Sequence, residues 1–224
     1  MGSWDSLPKP LLRGLEEAVA VQRAPVANYV ARLRRTRPGA TPSEIIAVLE
    51  KHYLRTVTGT GAAVGGVAAA PGVGTLAALA LGGGESAAFL EATALFALAV
   101  AEVHGIRIED RERRRTLLLA VVLGDHASKL VQRTIRRESR HWGYLLPAGI
   151  PLTSISALNR TLVMWFLRKY ARKQGLLMVG KIAPFGIGAA VGAKGNRVLG
   201  RQVVHNCREV FGPAPVSFAS PVEP

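Results

Sequence analysis

Two short stretches carry residues of the kind that nucleophilic or acid–base chemistry uses: Asp125-His126 and His205-Asn206-Cys207. A thiolate nucleophile needs a base close in space and an electropositive setting. Adjacency along the chain provides neither, so Cys207 reads as a small packed residue. The histidines at 52, 104, 126, 141 and 205 show no spacing, such as HExxH, that would bring two imidazoles to one metal. No metal and no cofactor is assigned. Glu91 and Glu102 stand three helical turns apart, share one helix face and could line a polar seam. An enzyme built on that seam would need a cavity and a carboxyl with a strongly raised pKa.

Binding chemistry is better represented than bond-breaking chemistry. Arginines come in runs at Arg32-Leu-Arg34-Arg35-Thr-Arg37, at Arg111-Glu-Arg113-Arg114-Arg115 and at Arg136-Arg137, within a chain of net charge +14. Such a charge favours anionic partners, either lipid headgroups or nucleic acid. Arg111, Arg113, Arg114 and Arg115 are the expected anionic-surface residues, while the alternative, favoured for any single run, is a solvated helix face partly neutralised by Glu and Asp. Against nucleic acid, Trp142, Tyr144, Trp165 and Phe166 are not interleaved with arginine as in a base-stacking platform. Trp142-Gly-Tyr144 reads instead as an interfacial aromatic anchor or, equally, as buried packing. The single cysteine excludes an internal disulfide framework and fits a reducing compartment. The first ten residues lack the basic start and apolar run of a secretory signal.

The elements that must position these residues are helical, with no alternating strand pattern and no βαβ rhythm. Residues 11–35 have helical apolar spacing, with Pro25 as a kink or break. Thr41-Pro42-Ser43-Glu44 is a capping box, opening a helix to about Val57. Residues 57–81 hold 8 Ala and 6 Gly but only 7 Val or Leu. Gly61 and Gly65 make a GxxxG step suited to close backbone packing. Pro71-Gly72 is read as a break and Gly82-Gly83-Gly84 as a turn before a helix from Ser86 to His104, with Gly105 at its C′ position. Asp110 or Glu109 caps a helix of about 112–137. Another covers 154–173 and stops at Gly175. Two glycine-rich segments, 176–183 and 186–210, precede a proline-rich tail.

No Lys or Arg occurs between Arg55 and Arg107. Segments 57–81 and 86–106 therefore form an apolar block in a basic frame, a candidate membrane-inserting hairpin with both ends on the cytoplasmic side. The opposing reading is a bundle whose small residues only permit tight packing. Glu91 favours that reading, because a carboxylate near the centre of a spanning helix costs roughly 2–3 kcal/mol. Gly59-Thr-Gly61-Ala-Ala-Val-Gly65 is no dinucleotide loop, because a capped helix rather than a strand precedes it.

Gly188, Gly192, Asn196 and Gly200 recur every four residues after Pro184. This pattern resembles the C-terminal signature of the EcsC family. The earlier order is similar too: Gly59 to Gly66, then Pro71-Gly72, then an Ala-rich helix ending Ala101-Glu-Val-His-Gly105. The resemblance spans roughly 43–211 and implies a helical, membrane-associated bacterial protein without assigned catalytic residues. The expectation is an all-α bundle: a flexible start at 1–10, one helical domain at 11–211 and a disordered tail at 212–224. Its helix-packing residues are Gly61, Gly65, Gly188, Gly192 and Asn196. Its expected role is a non-catalytic accessory or scaffold at the cytoplasmic face of the inner membrane, binding anionic lipid, with a membrane protein complex as a further candidate partner. The alternative is a basic helical nucleic-acid-binding protein.

Overall fold

The computed structural model describes residues 9–21, 23–68, 75–134, 141–147, 150–180 and 187–219, with side chains at 12–21, 23–60, 86–134, 141–147, 150–169 and 193–219. These residues form an all-α bundle, with no strand among them. The helices are α1 (Lys9–Ala20), α2 (Arg23–Arg35), α3 (Pro42–Ala68), α4 (Thr75–Val103), α5 (Arg111–Leu123), α6 (Asp125–Thr134), α7 (Leu152–Gly180) and α8 (Ile187–Phe211).

Helix ends are written locally where the sequence carries the right groups. The Thr41 amide donates to Glu44 Oε2 (2.7 Å) and the Glu44 amide to Thr41 Oγ1 (3.3 Å), the reciprocal capping box that starts α3. At the end of α4 the Gly105 amide reaches Glu102 O (3.0 Å) and the Ile106 amide reaches Ala101 O (2.9 Å). With Gly105 at φ +71, this is a Schellman closure. Asp110 caps α5 by accepting from the Arg113 amide at 3.0 Å.

Several boundaries differ from expectation. The first helical stretch breaks near residue 21, and Pro25 sits in the first turn of α2, where its missing N–H costs nothing. Gly82, Gly83 and Gly84 lie inside α4, and Gly175 lies inside α7. An interior glycine costs only about 1 kcal/mol, so it does not by itself end a helix. Pro71-Gly72 lies outside the described residues. The expected 112–137 helix divides at Gly124, whose φ of +75 leaves the helical region. There the Asn206 amide donates to Val121 O at 2.7 Å, satisfying a terminal carbonyl of α5 from another element.

Helix α4 is the central element. Phe89, Leu90 and Ala94 are buried on it, as is every residue from Phe96 to Ala101, with α1, α2, α3, α5 and α8 packed around. An almost wholly apolar helix is what a core position requires. Its Ser86–Val103 stretch is long and apolar enough to cross a membrane, yet 61% of it is buried within the protein. Residues 86–103 of α4 are thus mostly core. Helix α5 is similarly buried from Thr116 to Leu123. Tyr53 of α3 stacks on Phe96 (4.7 Å between ring centroids) and shares a hydrogen bond with Thr93 (2.9 Å).

Residues 212–219 follow α8 along the body. Phe218 is partly buried there, with the Arg34 guanidinium 4.0 Å over its ring.

Candidate anion-binding cleft

The arginine runs divide into two groups, according to which carboxylates and carbonyls the fold brings against them. Arg111 and Arg115 both reach Glu16 of α1, Arg111 at 2.7 Å and Arg115 at 2.7 and 2.9 Å. Arg115 also takes Glu112 at 2.6 Å. Arg114 donates to Val19 O (3.1 Å) at the end of α1 and to Glu109 O (2.6 Å). Arg113 donates to the carbonyls of Leu146 and Ile150, the latter at 3.0 Å. Cations crowded at a helix N-terminus oppose its dipole. Here carboxylates and carbonyls from other elements offset that conflict. At the expected anionic surface, the side chains of Arg111, Arg113, Arg114 and Arg115 thus tie α5 to α1 and to the loop before α7.

The second group lies at the end of α2. Its last turn holds Arg32, Arg34 and Arg35, charges that complement the helix C-terminus. The terminal carbonyls are already satisfied by the turn itself: the Thr36 amide donates to Arg32 O (3.0 Å), the Thr36 hydroxyl to Leu33 O (3.1 Å) and the Arg37 amide to Arg34 O (3.2 Å). Gly39, at φ +83, lets the chain reverse into α3. The guanidinium groups are thereby left outward. Arg34, Arg35 and Arg37 line one cleft of about 550 Å³ with Ala31, Gly39, Ala40 and Phe218. Arg32, Arg35 and Arg37 are exposed, and none of their side chains forms an ion pair or hydrogen bond among the described residues.

The described acids explain why this charge stays open. Glu16 and Glu112 hold Arg111 and Arg115. Glu102 takes Arg23 through two 3.0 Å bonds, and Glu50 takes Arg208 at 2.8 and 2.6 Å. Glu44 and Asp110 cap helices. Carboxylates engaged in this way do not neutralise the α2 cluster. On the opposite flank of α2, Pro25, Val26 and Tyr29 border a second cleft, about 310 Å³ and mainly apolar, closed by Tyr53, Leu95 and Phe96. The Tyr29 hydroxyl and His52 Nδ1 meet at 2.6 Å across it.

Comparison with protein-family models, characterised proteins and solved structures finds no match. The site rests on its own geometry.

The remaining sequence candidates fall apart as a constellation. Glu91 is exposed on α4 while Glu102 is paired with Arg23, so the two form no shared polar seam. Cys207 is fully buried, and burial pushes its thiol far above the ordinary range, with nearby Glu50 adding to the rise. His205, Asp125 and His126 are exposed, and Asn206 is held by Val121 O. Trp142 is buried rather than interfacial, while Tyr144 is exposed. No metal-binding group of three or more His, Cys, Asp or Glu occurs among the described residues. Gly61 and Gly65 lie in α3, and Gly188, Gly192 and Asn196 in α8, as helical positions. The α2 arginines were visible in the sequence as a run. That the cluster meets no carboxylate among the described residues was not.

Proposed function

We propose that the protein is a non-catalytic accessory or scaffold that docks on an anionic membrane surface, using the α2 cleft to hold headgroup phosphates. The observation that carries this reading is the cleft of Arg34, Arg35 and Arg37, open and without acidic partners among the described residues. A guanidinium presents a planar fork of donors matched to phosphate oxygens, and each basic residue near an anionic leaflet contributes about 1 kcal/mol. The apolar cleft on the other flank of the same helix favours an amphiphilic surface over nucleic acid. The resemblance to the EcsC family supports the same placement, at the cytoplasmic face of the inner membrane.

The test is sedimentation with vesicles of phosphatidylcholine alone or mixed with phosphatidylglycerol. Binding should require the anionic lipid and weaken with salt. Replacing Arg34, Arg35 and Arg37 together by Ala should weaken it about 100-fold, from roughly 1 kcal/mol per residue. Equal binding to both vesicle types, or an unchanged triple variant, counts against the proposal. Binding of a short RNA or DNA duplex by native protein only, without vesicle binding, transfers the cleft to the nucleic-acid reading.

A further inference from the structure

The arginine cleft has one wall that α2 does not supply. Phe218, from the segment that follows α8, lines it together with Arg34, Arg35 and Arg37. Contacts at both ends of that segment place the ring. Gly212, at φ +78, turns the chain out of α8 against His141, where an added Cβ would lie 2.7 Å from His141 Cγ. Ala219 packs on Gly105 at the end of α4, its Cβ 2.9 Å from where a Cβ on that glycine would stand. Between these points Pro213, Val216 and Ser217 are exposed, while Phe218 packs against the core.

Arg34 lies over this ring, its guanidinium carbon 4.0 Å from the centroid. A cation on an aromatic face is held by the ring quadrupole, an attraction that needs no hydrogen-bond acceptor. The N–H donors of a guanidinium lie in its plane, in a fork matched to phosphate oxygens. Among the described residues no hydrogen bond or ion pair takes up those of Arg34. The ring thus fixes a long, flexible side chain and leaves its donors uncommitted. Arg35 and Arg37 have no such aromatic support among the described residues.

We propose that Phe218 is a positioning residue of the cleft, holding Arg34 so that its donors meet a phosphate group with the side chain already ordered. This role rests on the reading of the cleft as a phosphate site, and it makes the segment after α8 part of that site. Ordering a rotamer-rich side chain before the ligand arrives removes a cost that binding would otherwise carry.

The test compares native protein with Phe218→Leu, which keeps an apolar side chain without an aromatic face, and with Phe218→Tyr, which keeps the face. Thermal unfolding checks that each variant is folded. Binding is read with two phosphate probes: vesicles of phosphatidylcholine mixed with phosphatidylglycerol, and soluble pyrophosphate. Phe218→Leu should weaken binding about threefold to fivefold, and Phe218→Tyr should stay within about twofold of native. The effect of Phe218→Leu should vanish in an Arg34→Ala background, because the ring acts through that side chain. If Phe218→Leu does not fold, Arg34→Lys carries the test: it keeps the charge, lacks the planar fork and should lose a similar factor.

Four results would each overturn the assignment: Phe218→Leu binding like native, Phe218→Tyr as weak as Phe218→Leu, a Phe218→Leu effect that persists without Arg34, or unchanged binding in Arg34→Lys. Binding to anionic vesicles that ignores Phe218 would sink this role and leave membrane docking standing. Phe218-dependent binding of pyrophosphate without vesicle binding would support the role and sink membrane docking. Binding to neither probe would sink both.

Discussion

Arg208 of α8 grips Glu50 of α3 through bonds of 2.8 and 2.6 Å, although 158 positions separate them in the chain. With Gly200 lying against Val57 and Leu54, this pair sets the two helices antiparallel in a definite register. A Cβ on Gly200 would come within 2.9 Å of Val57 Cγ2 and 3.0 Å of Leu54 Cδ2. Carried along both helices in steps of four, the same faces bear Gly61 and Gly65 on α3 and Asn196, Gly192 and Gly188 on α8.

This register predicts a contrast among glycines of one helix. Gly200→Leu and Gly192→Leu should each destabilise by about 2–3 kcal/mol through overpacking. Gly195→Ala, facing open space, should stabilise by about 0.5–1 kcal/mol through helix propensity. Denaturant unfolding of the three variants checks the order. Equal effects at Gly192 and Gly195 would count against a close α3–α8 approach at that level.

A crossed pair of substitutions separates structural from binding arginines. Arg113→Ala removes the partner of the Leu146 and Ile150 carbonyls and should cost about 2–3 kcal/mol of stability. It should leave affinity for anionic vesicles unchanged in folded protein. Arg35→Ala should change stability by no more than about 0.5 kcal/mol, the usual result at an unpaired surface site, yet weaken vesicle binding several-fold. Thermal unfolding and sedimentation on the same samples give both readouts.

The junction between α5 and α6 should be intolerant of change. A Cβ at Gly124 would meet the Asn206 side chain at 3.0 Å, and the residue's φ of +75 is unfavourable for other L-residues. Gly124→Ala is expected to cost about 2 kcal/mol or more. Asn206→Leu, which leaves Val121 O unpaired, should cost about 1–3 kcal/mol. If both variants unfold at the native midpoint, the helix break is not held by this contact.

Burial of Cys207 predicts alkaline sensitivity. Its folded-state pKa is raised, so above the unfolded value of about 8.5 the unfolded chain loses a proton that the folded one keeps. The unfolded state then binds fewer protons, and stability falls with pH by up to about 1.4 kcal/mol per unit. Cys207→Ala should lower stability at neutral pH through the lost side chain but remove this component of the slope. Measuring denaturant midpoints from about pH 8 to pH 10 tests the difference. Parallel profiles for the two proteins would show that the thiol titrates alike in both states.

Local chemistry explains what could be read without the fold. The Thr41–Glu44 capping box, Asp110 at an N-cap and Gly105 at C′ each act within five residues, so type and spacing suffice to specify them. The all-α class follows from the same short-range signals and from apolar spacing. The break at Gly124 escaped because its decisive partner, Asn206, comes from another helix, and Gly82–Gly84 and Gly175 misled because glycine in a helix is only mildly unfavourable.

The sequence by itself determined that this chain is helical, strongly basic and carries several arginine clusters, since those are sums and local patterns. The tertiary structure decided which cluster stays open. Glu16 lies 95 and 99 positions from Arg111 and Arg115, yet folding brings them within 3 Å. The arginines at the end of α2 meet no such carboxylate among the described residues. A charge is neutralised by what is near it in space, because Coulomb attraction depends on distance through the fold and not on separation along the chain.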